Sequence, residues 1–214
     1  MKKADVNDRR RVPIYGKGIN DLPYVTERKE RVNGKLKLVW RCPFYATWRN
    51  MMMRVNDINY MEKHPRYKDC EVCEDWYVFS NFKAWMETQN WAGNLLDKDL
   101  LSSDSKVYSP ETCVFISPRL NSFLVVKSNS PTGAAYDKRR GHWNGMCNKG
   151  NGKSEYLGRF STPEAAHRAW QVAKREVAID LLKLQDNPRV LVGLCKVINK
   201  LESDIYHERI TVNL

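Results

Sequence analysis

The stretch Ala134–Trp170, AAYDKRRGHWNGMCNKGNGKSEYLGRFSTPEAAHRAW, decides how the second half of the chain is read. Three short segments, AAYD, HWNGMC and SEYLGRF, alternate apolar and polar residues and are split by turns rich in Lys, Arg and Gly. That pattern predicts a three-stranded antiparallel meander. Ser161-Thr162-Pro163-Glu164 follows as a capping box, with proline tolerated in the first helical turn. Beyond it Ala165, Ala166, Ala169, Trp170, Ala173, Val177 and Leu181 fall on one face of a long helix that packs on the sheet. His167 on that helix is read as a partly exposed surface residue. Asn187-Pro188 ends the helix, and a last amphipathic helix is expected from about Val190 to Leu201.

Working back towards the N-terminus, residues 128–133 read as a Ser/Asn/Pro/Thr/Gly linker. Before it, NLLDKDLL (94–101), a polar turn around SSDSK, TCVFIS (112–117) and PRLNSFLVV (118–126) read as strand, loop, strand and short helix. Trp76, Phe79, Phe82, Trp85 and Met86 form one stripe and predict a helix over roughly 74–89. Phe44, Tyr45, Trp48, Met51, Met52 and Val55 predict another over 44–55. VNGKLKLVW (32–40) pairs an Asn-Gly turn signal with alternation at Leu36, Leu38 and Trp40, so a short hairpin is expected. The first forty residues otherwise read as an irregular basic arm. The whole is an α+β chain divided at 1–41, 42–126, 127–185 and 186–214.

The chain has 214 residues, enough for one large domain or two small ones. Its 36 Lys and Arg against 25 Asp and Glu leave a net charge of +11, which favours a polyanionic partner because neutralised phosphates release condensed counterions. The excess is uneven. Residues 1–41 carry twelve Lys/Arg and five Asp/Glu, and 127–159 carry seven and two, whereas 87–111 holds Glu87, Asp97, Asp99, Asp104 and Glu111 against Lys98 and Lys106. Two basic regions thus flank an acidic one, an arrangement that suits carboxylates holding a cation against gripped DNA. No apolar run approaches the eighteen or so residues of a membrane span, and no apolar stretch follows the basic start, so no membrane partner and a cytoplasmic location are expected. Six cysteines are too few for a disulfide framework in a chain of this length.

WYVFSNFKAW, LLDKDLL and KVYSPETCVFISPRLNSF together resemble the degenerate HNH-type endonucleases common in bacteriophages. The resemblance spans about residues 42–126 and implies two antiparallel strands and a helix clasping one divalent cation, Mg²⁺ or Mn²⁺. It assigns Asp97 and Asn121 as metal ligands, and places Thr112, nine residues before Asn121, where the family has an Asn that braces the loop. Lys98 stands at the position of the family's general-base His. A protonated lysine cannot accept a proton, so Lys98 is read as neutralising the phosphate, with Asp99 the alternative acceptor for a water proton.

The second half resembles another module. Gly133, Tyr136, Trp143, Tyr156-Leu157-Gly158, Phe160, Thr162, Glu164-Ala165-Ala166 and Ala169-Trp170 match the ethylene-response-factor (APETALA-type) DNA-binding domain over about 128–183. That family lays a three-stranded sheet, braced by a helix, in the major groove. The likeness makes Arg139, Arg140, Trp143, Lys153 and Arg159 candidate contacts to double-stranded DNA. Lys138, Arg139 and Arg140 share one turn, which suits phosphate anchoring more than base readout. A solvated loop is the alternative reading of that turn. His142 is read as a further phosphate contact.

Cys70-x-x-Cys73 has zinc-knuckle spacing, and Cys42 and Cys113 would complete a four-thiolate Zn²⁺ site; buried free thiols are the other reading. Two functions are therefore carried forward: a divalent-metal-dependent, homing-like DNA endonuclease, and a catalytically inactive HNH-fold DNA-binding or regulatory phage protein. An RNA binder fits the charge but not the sheet module.

Overall fold

A computed structural model describes residues 12–102, 105–126, 131–149 and 152–214. Residues 1–11 of the basic arm, the tip of the SSDSK turn and residues 128–130 of the linker lie outside the described residues. In chain order the elements are β1 (Glu27–Val32), β2 (Lys35–Arg41), α1 (Pro43–Asn56), α2 (Ile58–Lys63), β3 (Glu71–Val72), α3 (Phe79–Glu87), β4 (Leu95–Asp97), β5 (Val107–Tyr108), β6 (Val114–Ile116), α4 (Pro118–Leu124), β7 (Ala134–Asp137), β8 (His142–Asn148), β9 (Ser154–Phe160), α5 (Pro163–Leu182) and α6 (Pro188–Tyr206). The protein is a mixed α+β chain with small sheets, one of them three-stranded and packed against a helix. It divides into two compact units, residues 1–91 with 105–113, and residues 92–104 with 114–214.

In the first unit, β1 and β2 form an antiparallel ribbon turned by Asn33 and Gly34, both at positive φ (52° and 77°). This is the two-residue turn that Asn-Gly favours. The helix expected over 44–55 is α1, whose Trp48, Met51 and Met52 are buried; Trp48 packs on Phe79 (ring centroids 5.2 Å apart) and donates to the Trp76 carbonyl at 2.7 Å. The helix expected over 74–89 is interrupted: a 3-10 turn covers Glu74–Tyr77, and α3 starts only at Phe79. The cause is local. The Ile19 amide donates to the Tyr77 carbonyl (2.8 Å), and the Phe79 amide donates to the Ile19 carbonyl (2.9 Å), so the backbone at the break bonds sideways instead of along a helix. Asp21 then caps α3 from outside by accepting the Ser80 amide at 2.9 Å. The two-residue parallel pair β3–β5 and the single-turn-scale α2 are too short to leave a periodic signal.

The second unit contains β4 and β6 paired antiparallel (Leu95↔Ile116, Asp97↔Val114), followed by α4, which packs against β4. It also contains the meander, in the spatial order β7-β8-β9, antiparallel throughout. One hydrophobic core joins the two: Val114, Ile116, Leu120 and Phe123 pack with Cys147, Trp170, Val177, Leu194 and Leu201. The break expected near residue 127 is therefore not a break in the core. Two close approaches fix this packing. A Cβ at Gly133 (φ +84°) would lie 2.4 Å from Trp170, and one at Gly193 would lie 2.6 Å from Leu100.

α5 is capped by Thr162, whose hydroxyl accepts the Ala165 amide at 3.1 Å, while Glu164 sits in the first turn. Asn187-Pro188 does more than end α5: the Asn187 side chain accepts the Arg189 amide at 2.9 Å and so starts α6. α6 runs on to Tyr206, beyond the expected Leu201. His167 corrects the sequence reading. It is 1% exposed, its Nδ1 lies 2.7 Å from the Thr132 carbonyl, and its Nε2 accepts the Thr211 amide at 3.0 Å. Thr211 also donates to Asp204, and Gln171 donates to Thr211, so a buried polar network pins the C-terminal segment onto α5 and α6. Lys174 is likewise buried, donating to the Phe123 carbonyl with its ammonium 4.1 Å from the Phe123 ring, and burial pushes its pKa down to about 8.

Candidate nucleic-acid interface

The register of the meander sorts its side chains. Ala135, Asn144 and Arg159 lie in one row across the three strands; Tyr136, Trp143 and Phe160 lie in the next. Within β8, strict alternation groups Trp143 with the buried Gly145 and Cys147, on the side that carries α5. Trp143 therefore pairs with Tyr136 (ring centroids 5.0 Å apart) and is half-buried, whereas Arg159 shares the opposite face with Asn144. His142 joins that open face, its Nε2 lying 3.1 Å from the Asn144 side-chain oxygen. His142–Asn144 is a polar pair at i,i+2 spacing. Strand alternation alone places both on one face, a signal the sequence reading left unused for Asn144.

The β7–β8 turn holds Lys138, Arg139 and Arg140, all exposed. Asp137 organises it. Its carboxylate accepts the amides of Arg139 (3.0 Å) and Arg140 (3.1 Å), its carbonyl accepts that of Gly141 (2.8 Å), and Gly141 supplies the positive φ of 67°. The Arg139, Arg140 and Gly141 amides are thus occupied, and three cationic side chains stand on a braced loop. Lys153 and Arg159 on β9 and its leading turn are also exposed.

In the ββα segment, Asp97 closes β4. Its Oδ1 accepts the amides of Asp99 (3.1 Å) and Leu100 (2.8 Å), bonds that lower its pKa, but desolvation outweighs them and holds it above the usual carboxylate value. Lys98 is buried and its ammonium pairs with the exposed Asp99 carboxylate, which ties up the two residues assigned to neutralisation and proton transfer. Asn121 is half-buried on α4, and its amide continues the helix by donating to the Ser117 carbonyl. The Thr112 hydroxyl donates to the Val107 carbonyl at 2.6 Å and accepts the Ser109 amide at 3.1 Å, holding its own loop.

Two cations went unnoticed in the sequence. Lys196 and Lys200, one turn apart on α6, line a cleft of about 240 Å³ with Asp99, Leu101 and Ser102, and Lys196 donates to the Leu101 carbonyl at 2.8 Å. Their i,i+4 spacing beside the apolar face of α6 was visible; the helix's return to the Asp97–Leu101 segment was not.

None of the six cysteines is in a disulfide. Cys42 lies 3.6 Å from the Tyr24 hydroxyl, Cys70 points to the Arg66 carbonyl at 3.8 Å, Cys113 is contacted by Thr112 at 3.9 Å, and burial pushes the Cys73 thiol pKa up. Among the described residues, no group of three or more His, Cys, Asp or Glu side chains is placed to hold a metal ion. No described helix is long and apolar enough to cross a membrane.

The class defined by these elements is a mixed α+β protein with a helix-backed three-stranded sheet. No family model, no curated protein and no solved structure matches the chain.

Proposed function

We propose that the protein binds double-stranded DNA through the open face and basic turn of β7–β8–β9. The observation that carries this reading is the turn itself: Lys138, Arg139 and Arg140 are all exposed on a loop that Asp137 braces through the Arg139, Arg140 and Gly141 amides. Their side chains are thereby presented to a partner and not used to hold the fold. Arg159 extends the cationic surface onto the open face, in the row of Asn144. Arginine supplies a planar fork matched to phosphate or to a guanine edge, and a twisted antiparallel sheet fits the roughly 12 Å major groove. The resemblance to the ethylene-response-factor module supports the same surface, with one adjustment: Trp143 braces Tyr136 from the helix side, and Arg159 with Asn144 takes the groove-facing position.

The test is a salt titration of binding to a labelled duplex. Arg139→Ala with Arg140→Ala is expected to weaken binding and to reduce the slope of log K against log salt by up to about two units. A wild-type protein that leaves the duplex unshifted, or an unchanged slope in the variant, overturns the reading.

A second reading adds metal-dependent hydrolysis of the DNA backbone. It is favoured by the ββα order, with Asp97 closing β4 and the helix bearing Asn121 packed on that strand. Asp97 and Asn121 would hold Mg²⁺ or Mn²⁺, which supplies Lewis-acid polarisation of a scissile phosphate. Lys98 would neutralise the phosphate rather than abstract a proton, and to do so it would have to leave the Asp99 carboxylate with which it pairs. Supercoiled plasmid incubated with either cation should be nicked by the wild type and not by Asp97→Ala. Intact binding without nicking leaves the catalytically silent DNA-binding protein. Zn²⁺ on Cys42, Cys70, Cys73 and Cys113 remains a proposal that metal analysis of the purified protein decides.

A further inference from the structure

We infer that the β1–β2 ribbon is a second, separate contact surface for double-stranded DNA, an inference that rests on the DNA-binding reading above. Its first support is exposure. Every residue from Arg28 to Trp40 is exposed, on both faces of both strands, and the ribbon's contacts are overwhelmingly internal. A two-stranded hairpin with neither face covered is at best marginally stable in water, so a ribbon kept in this form is a surface for something else.

The chemistry of that partner is written in the charges. Between Arg28 and Trp40 stand Arg28, Lys29, Arg31, Lys35 and Lys37 against the single acid Glu30. Glu27, at the base, is tied to Arg41 at 2.7 Å, and Lys29 stands 3.9 Å from it. On the turn side of the bulge, the register places Lys29 opposite Leu38 and Arg31 opposite Leu36, so one face carries two cations and two leucines and no acid. The other face, Glu30, Val32, Lys35 and Lys37, carries two cations and one acid. Cations on both faces suit a partner that surrounds the ribbon with negative charge, which the walls of a duplex groove do. Two strands about 4.8 Å apart, with their side chains, fit a groove roughly 12 Å wide. Leu36, Leu38 and Trp40 would then meet sugars and base edges while the cations meet phosphates. Pairing with a second copy of the ribbon would instead bring like charges together along every edge.

The experiment uses the full chain and a 30-base-pair duplex in a salt series, with the oligomeric state measured by light scattering. Lys35→Ser with Lys37→Ser should reduce the slope of log K against log salt by up to about two units. That loss should add to the loss from Arg139→Ala with Arg140→Ala. Leu36→Ser with Leu38→Ser should weaken binding several-fold with the slope unchanged. Thermal unfolding of both ribbon variants should match the wild type, because the substituted side chains are exposed. If the turn-arginine variant loses slope while the lysine variant keeps affinity and slope, the ribbon inference falls and the sheet reading stands. A wild type that does not bind the duplex overturns the sheet reading and the inference with it. A dimer that dissociates in the ribbon variants, with the DNA slope unchanged, makes the ribbon a contact between copies and overturns the inference. So does a loss seen only with a single-stranded RNA probe.

Discussion

The β1–β2 ribbon and the β7–β8–β9 sheet are made of similar local material. Both are antiparallel, both turn through a glycine at positive φ, and both alternate apolar and polar residues. They differ in what stands behind them. α5 covers one face of the sheet, so Gly145 and Cys147 are buried and Gly133 admits the Trp170 ring, while residues 28–40 are all exposed. Alternation records where a strand is able to place its apolar residues; whether that face is covered depends on another element. The sheet's apolar face is therefore a stability feature, and the ribbon's is available for a partner.

The largest expected effect breaks the sheet side of the comparison. Trp170 is 3% exposed and sits where the core of the second unit meets Gly133. Trp170→Ala should destabilise by about 3–5 kcal/mol in urea unfolding, the range for deleting a buried aromatic. Trp40→Ala, at 41% exposure on the ribbon, should stay below about 1 kcal/mol. Equal costs for the two tryptophans would mean that the ribbon is covered in solution.

The next concerns the network that pins the C-terminal segment. His167 is held neutral, lying against the Thr132 carbonyl through Nδ1 and accepting the Thr211 amide through Nε2. Burial depresses its pKa below the ordinary value of 6.5; Thr132 and Asp204 pull the other way, and Arg168 adds to the depression. Below about pH 6.5 the unfolded state takes up a proton that the folded state resists. Stability should therefore fall on acidification from about pH 7 and level off once the folded imidazole also titrates. His167→Gln should flatten this fall in unfolding free energies measured from pH 7.5 to 5.

His167 also marks the limit of reading this chain from its sequence. The meander, the ribbon turn at Asn33-Gly34 and the long helix α5 were legible, because each is set by neighbours a few residues away. His167 was not, because its partners lie 35 residues before it and 44 after it. Helical periodicity places a residue on a face without saying what that face meets. The same holds for the 74–89 stripe, cut at Val78 by bonds to Ile19, and for Lys196 and Lys200, which the return of α6 brings to Asp99. At the candidate metal site, the order strand, strand, helix was legible; the pairing of Lys98 with Asp99, and the use of Asp97 Oδ1 as a turn acceptor, were not.

A smaller effect isolates α5 from its packing. Thr162→Ala removes the hydroxyl that accepts the Ala165 amide and should cost about 1 kcal/mol, read by chemical denaturation. The variant leaves Lys138, Arg139 and Arg140 untouched, so its duplex affinity at temperatures well below unfolding should equal that of the wild type.

The smallest expected change is the sharpest test of the contrast. Leu38 is 43% exposed and faces Lys29 across the ribbon; Val177, on the buried side of α5, is 6% exposed. Leu38→Ser should alter unfolding free energy by no more than about 0.5 kcal/mol, the usual range for exposed positions. Val177→Ser, which removes apolar volume and buries a hydroxyl, should cost several times more. Stability alone would then mark Leu38 as dispensable. If Leu38→Ser nevertheless weakens duplex binding, a leucine that stays exposed on the ribbon has its use outside the fold. A ribbon variant that loses stability and keeps affinity would reverse the assignment, giving the ribbon a packing role like that of the sheet.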